Sequence, residues 1–233
     1  AAPAGATPDM FIGEDGQPLS YADAVTSGRS TGAPGAIAML GLAHERFGRL
    51  PWSDLFASAI QAADQGFIVP KRLARFANGK FPQAGTPDAR ALFSRPDGTP
   101  VQAGDTLRNP AYARTLRTIA AEGPRALLDG PIAAKIAART HEQPRPGTMT
   151  TADLAAYRPH AVDPLCRPYR VYVVCVPPPP SSGVSLLEML AILERTDIAS
   201  RGAGDPQAWF LFAEASRLMY ADRDRYVAAP AFV

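Results

Sequence analysis

Few residues of this chain have the type and spacing for chemistry. Gly28-Arg29-Ser30-Thr31-Gly32 fits G-x-S-x-G, the pattern that presents a nucleophilic serine on a strand-to-helix elbow. An elbow needs an apolar strand before the serine and a helix straight after it. Here Tyr21-Ala22-Asp23-Ala24-Val25-Thr26-Ser27 precedes it, short and polar, and Thr31-Gly32-Ala33-Pro34-Gly35 delays the helix. A triad would add Asp and then His. Asp153 and His160 occur in that order, with no pattern that pairs them, and His44 falls on a predicted helix as a surface histidine. The glycines read better as freedom for a tight backbone turn against another element.

The remaining chemical patterns give no site of their own. His44-Glu45 does not extend to H-E-x-x-H, and no phosphate loop or G-x-G-x-x-G is present. Thr150-Thr151 offers two hydroxyls, but Asp153 three residues after Thr150 makes this a helix-capping signature. Pro177-Pro178-Pro179-Pro180 fits a polyproline ligand, yet its place straight after an apolar strand favours a structural bend. The run from Arg217 to Arg225 carries both charges and reads as a helix face with ion pairs. On these residues alone, none is assigned as catalytic, substrate-binding or metal-ligating, and no cofactor motif appears.

The elements that would position any site are mostly helical. Ile37, Leu40, Ala43 and Phe47 recur at helical spacing and predict a helix over 35–47, with Pro34 at its start and Gly48 at its end. Further helices are predicted over 52–65, with Ser53 as cap and Gly66 as stop, and over 71–77, 112–122, 132–139, 182–193 and 206–226. Residues 1–33 read as extended and 78–107 as irregular, with a Pro96-Asp97-Gly98 turn. YRVYVVCV over 169–176 is the one clear strand, β-branched and aromatic.

Composition bounds the class. The 233 residues are 46% hydrophobic, which suits a globular chain with a core. The 24 basic and 22 acidic residues nearly balance, which argues against a nucleic-acid partner. No apolar run reaches the roughly 18 residues of a membrane-spanning helix. The opening AAPAGATPDMF reads as a cleaved or truncated end. Cys166 and Cys175 form no CxxC; Cys175, in an apolar run, reads as a buried free thiol, with a disulfide to Cys166 as the alternative.

Six segments, in order, resemble the γ-glutamyltranspeptidase family. They are TPDMF (7–11), GAPGAIAMLGLAHERFGRLPWSDLFASAIQAADQGFIV (32–69), GDTLRNPAYARTLRTIAAEGP (104–124), MTTADLAAY (149–157), PPPPSSGVSLLEMLAILE (177–194) and FAEASRLMYADRDRYV (212–227). The resemblance implies an α+β fold, the αββα sandwich of N-terminal nucleophile hydrolases. It makes residues 1–233 a mainly helical part of the large subunit, a single domain incomplete at both ends.

The resemblance also implies a mechanism. A precursor cleaves itself, and the new N-terminal threonine of the small subunit becomes the nucleophile, with its α-amino group as base. That threonine takes the γ-glutamyl group of glutathione or a related amide, and water or an amino acid resolves the acyl-enzyme. Backbone amides of a glycine pair in the small subunit hold the oxyanion. The family has an Arg-Glu pair just upstream of the residues matching Ala2-Pro3, and its arginine would clamp the substrate carboxylate. The implied partners are that small subunit and a γ-glutamyl small molecule, without cofactor, and the implied compartment is periplasmic or extracellular.

Departures from the family pattern keep other readings open. Gly183 is followed by Val184 where relatives have a second glycine, and Ala228-Ala229-Pro230-Ala231-Phe232-Val233 lacks the acidic residues of relatives. These differences fit a diverged branch that includes cephalosporin acylases. A non-catalytic remnant or partner-binding subunit, and a serine esterase using Ser30, are the alternatives. One clear strand cannot build two stacked sheets, so apolar surface should stand open near 169–176 and 177–190.

Overall fold

Ser20 sets the first departure from the expected extended start. Its hydroxyl accepts from the Asp23 amide at 3.2 Å and caps a short helix, α1 (Tyr21–Val25), within the segment read as extended. A single 3₁₀ turn follows over Gly28–Ser30. The computed structural model describes residues 1–230. The departure at Ala231-Phe232-Val233 lies outside the described residues.

Helix α2 (Ala36–Phe47) follows the predicted span and ends at Gly48. The predicted helix over 52–65 is two pieces, a 3₁₀ turn over Trp52–Phe56 and α3 (Ala57–Gln65). Ser53 does not cap either; its hydroxyl donates to the Asp54 carboxylate at 3.2 Å. Gly66 ends α3, and β1 (Phe67–Ile68) leads into α4 (Lys71–Ala77), which matches its predicted bounds.

The segment read as irregular contains short regular pieces. A 3₁₀ turn over Pro82–Gly85 precedes α5 (Pro87–Leu92), with Pro87 at its first position. β2 (Thr106–Leu107) then pairs antiparallel with β1, Phe67 opposite Leu107. Two-residue strands are below what periodicity can reveal.

The next helices are capped as their sequences demand. Asn109 accepts from the Tyr112 amide at 2.9 Å at the head of α6 (Pro110–Glu122). α7 (Gly130–Thr140) follows, and Thr150 and Asp153 form a full capping box at α8 (Thr151–Ala156). Arg125 binds these pieces together: it reaches the Ala155 carbonyl at 2.9 Å, the Tyr157 carbonyl at 3.2 Å and Asp129 at 2.7 Å.

The predicted single strand over 169–176 is corrected to a hairpin, β3 (Leu165–Tyr169) antiparallel to β4 (Tyr172–Val176). LCRPY carries Arg167 and Pro168 and shows neither alternation nor an apolar run, so β3 is silent in the sequence. Helix α9 (Gly183–Glu194) packs on both strands, and α10 (Pro206–Tyr226) packs on α9.

The chain divides into two compact units at Pro159 and His160. In the first, Leu128, Met149 and Leu154 with Ala38, Ala133 and Ala137 form one buried cluster. Phe56, Leu116, Ile119 and Ala126 form a second, and Val69, Ala74, Val101 and Leu107 a third. In the second unit the buried set is small, with Val176, Ser185, Leu187, Leu193 and Ala215. The described chain is mostly helical with few strands, as the sequence predicts.

Candidate functional site

Ser30 is not placed on an elbow. Its hydroxyl donates to the Ser27 carbonyl at 3.0 Å and the Val25 carbonyl at 3.2 Å, and the next helix begins only at Ala36. The glycine of the motif is what the packing uses. Gly28 donates to the Arg145 carbonyl at 3.1 Å, and Gly147 reaches Thr140, so backbones run against each other here. A Cβ on Gly28 would collide with the Thr140 carbonyl and lie 2.8 Å from the Gly147 nitrogen.

The other sequence candidates are structural as well. Thr150 donates to Asp153 at 2.7 Å and accepts from the Asp153 amide at 3.1 Å. Asp153 also accepts from the Ala4 amide at 2.8 Å. The Thr150 hydroxyl first, then the backbone amides of Ala4 and Thr150, hold the Asp153 carboxyl below the usual carboxylate range. His44 Nε2 lies 2.8 Å from the Leu50 carbonyl, its ring edge-on to Trp52. His160 is exposed and opens the second unit. Among the described residues no three His, Cys, Asp or Glu side chains converge as a metal site requires.

Cys166 and Cys175 are bonded to each other, which corrects the reading of Cys175 as a buried free thiol. The hairpin register places them directly opposite, with Cα atoms 4.1 Å apart, and both residues are exposed. Without the partner strand in view, their nine-residue separation carried no sign of a cross-strand pair.

The second unit exposes the surface that the sequence leads one to expect. Val171, Tyr172 and Val173 of the hairpin are exposed, and so is Leu186 on α9. A two-stranded hairpin gains little stability alone, and α9 packs on this one. Sequence reasoning missed the larger part of the surface, which is on α10. There Trp209, Phe210, Phe212, Tyr220 and Tyr226 are all exposed, and Ala215 alone is buried. The signal was present: aromatic residues spread over more than half the circumference of one helix mark an element covered over a broad face.

Between α9 and α10 lies an acidic contact. Burial raises the Glu188 carboxyl above its ordinary value, and hydrogen bonding to Asp222 adds to this. Ser185, one turn before Glu188, is buried, and among the described residues its hydroxyl has no hydrogen-bond partner.

Comparison with known proteins places these features in a family. The family model described as Gamma-glutamyltranspeptidase matches residues 1–233. The glutathione hydrolase proenzyme of Escherichia coli (strain K12) is 37% identical over 237 residues, covering 100% of this chain and 40% of that protein. The acylase ACY 1 proenzyme of Pseudomonas sp. (strain SE83) is 37% identical over 210 residues, covering 90% of this chain and 37% of that protein. The chain thus spans about two-fifths of the curated relatives it matches. The crystal structure of Helicobacter pylori γ-glutamyltranspeptidase superposes with a TM-score of 0.89 at 28% identity, over 100% of this chain and 66% of that one. The mainly helical chain with few strands therefore has the N-terminal nucleophile hydrolase fold of these structures, and it belongs to the γ-glutamyltranspeptidase family of enzymes.

Proposed function

We propose that residues 1–233 form the middle and later part of the large subunit of a γ-glutamyl hydrolase or transferase. The enzyme acts on glutathione and related amides through an acyl-enzyme on the N-terminal threonine of a small subunit cut from the same precursor. The observation that carries this reading is the match of the whole chain to relatives named glutathione hydrolase proenzyme. The hydroxyls of Ser30 and Thr150 are committed to backbone and capping bonds, which supports a nucleophile outside these residues. The exposed hairpin and α10 supply a face for the small subunit. The Cys166–Cys175 bond suits an oxidising compartment and supports a periplasmic or secreted protein.

A second reading is favoured by the acylase ACY 1 relative at 37% identity. On this reading the enzyme takes the acyl side chain of a cephalosporin instead of a γ-glutamyl group, the class named by the structurally similar cephalosporin acylase from Bacillus halodurans. One experiment separates the readings. The full-length protein is purified and every polypeptide is weighed intact and sequenced from its N-terminus, then assayed on a γ-glutamyl anilide and on an N-acyl cephalosporin. A second polypeptide led by threonine and turnover of the anilide are expected. Turnover of the cephalosporin alone selects the acylase. An uncleaved protein without either activity refutes both.

A further inference from the structure

The sequence and structure from Gly66 to Pro96 are unlike the rest of the chain in charge. This stretch holds six Lys and Arg residues and a single acid, Asp88, which pairs with Arg139 at 2.8 Å. Arg95 is matched by Asp105 at 2.7 Å. Lys71, Arg72, Arg75 and Lys80 are all exposed and, among the described residues, none of them has a carboxylate partner. Four unneutralised cations thus fall within ten residues of sequence.

Two of these cations, Arg72 and Arg75, stand beside an apolar cavity. Leu73, Phe76, Phe81, Ala89 and Phe93 line a hollow of about 470 Å³, within the roughly 300–1,000 Å³ of small-ligand pockets. Phe76 and Phe81 stack at 4.8 Å between ring centres, and both are more than one-third exposed. The guanidinium carbons of Arg72 and Arg75 each lie 5.5 Å from the Phe76 ring centre, which puts the charge at the pocket wall. The floor is fixed: Leu73, Ala77 and Phe93 also pack on the buried cluster of Val69, Ala74, Val101 and Leu107.

We propose that this hollow binds a monomeric amphiphile with an apolar tail and one anionic head, the class of a medium-chain fatty acid. The tail replaces water along the Phe and Leu wall, and the carboxylate meets Arg72 and Arg75 in the bidentate geometry that guanidinium favours. The concavity of the hollow favours a single inserted tail over adsorption on a bilayer, which would need a convex apolar surface.

The test titrates the full-length protein by calorimetry with dodecanoate below its micelle concentration. Hexanoate has the same head with a short tail; dodecyl maltoside has the same tail with an uncharged head. Phosphatidylglycerol vesicles are a fourth arm, read by sedimentation. The double variant Arg72→Gln/Arg75→Gln alters exposed side chains only and keeps the fold. The expected result is saturable binding of dodecanoate, at least about tenfold weaker for hexanoate, for dodecyl maltoside and for the double variant. Equal affinity of the variant, or of either control ligand, overturns the proposal. So does association with vesicles without binding of monomeric dodecanoate, or no binding at all.

Discussion

Replacing Gly28 with alanine tests whether the G-x-S-x-G motif is architecture or chemistry. Two backbone hydrogen bonds meet at this point, from Gly28 to the Arg145 carbonyl at 3.1 Å and from Gly147 to the Thr140 carbonyl at 2.6 Å. The added methyl would overlap the Thr140 carbonyl oxygen and sit 2.7 Å from its carbon. Both obstacles are backbone, so no rotamer change relieves them, and α7 must move away from the turn. Overpacking of this kind costs about 1–3 kcal/mol. Weakening the two hydrogen bonds adds about 0.5–1.5 kcal/mol for each. The sum, about 2–6 kcal/mol, lowers the melting temperature by on the order of 10 °C in a protein of this size. Ser30→Ala removes only a hydroxyl that donates to local carbonyls, and should change stability by no more than about 1 kcal/mol. Urea and thermal unfolding followed by circular dichroism, with γ-glutamyl turnover of the full-length protein, decide the matter. A wild-type melting point for Gly28→Ala, or loss of turnover by a well-folded Ser30→Ala, would refute the structural reading of the motif.

Other perturbations probe separate layers. Leu154 is fully buried against Leu128 and Met149, so Leu154→Ala should cost about 2–5 kcal/mol in urea unfolding. Thr150→Ala breaks the capping box of α8 and should cost about 1 kcal/mol, with Thr150→Ser close to wild type in the same assay. Alkylation of the unreduced protein should leave Cys166 and Cys175 unlabelled, and reduction should expose two sites by mass and lower stability by about 2–3 kcal/mol on chain-entropy grounds. The Arg95 side chain, then the Gln102 amide, hold the Asp105 carboxyl at about 2. A depressed acid stabilises the fold above its unfolded value near ~3.9 and loses that contribution as pH falls through the folded value. The stability gap between wild type and Asp105→Asn should therefore be widest above about pH 5 and close towards pH 2; a constant gap would contradict the ion pair.

What the sequence discloses depends on how far the determining interaction lies along the chain. Helices α2, α4 and α10 are legible because their apolar spacing and end residues lie inside or beside them. The capping box at Thr150 and Asp153 is a three-residue pattern and reads directly. The hairpin does not, because β3 has no strand signature and exists only through its pairing with β4. The disulfide is hidden for the same reason: it follows from register, and register needs both strands. Gly28 is visible as a glycine, but the Thr140 carbonyl that demands it is 112 positions away.

The exposed face of α10 extends this reasoning to function. A helix of 21 residues that buries only Ala215 while exposing Trp209, Phe210, Phe212, Leu218, Tyr220 and Tyr226 is poorly explained by contacts within its own unit. Each exposed aromatic leaves out of reach the area that makes such side chains dominate interfaces. Tyr and Trp side chains are also those on which binding energy concentrates. Exchanging Phe210 and Tyr220 for serine should therefore leave the melting of this unit nearly unchanged while weakening association with the proposed small subunit. Co-purification of the two polypeptides from a tagged full-length precursor reads this out. An intact pair at wild-type yield would show that α10 is not the contact, and the search would move to the exposed edge of β4.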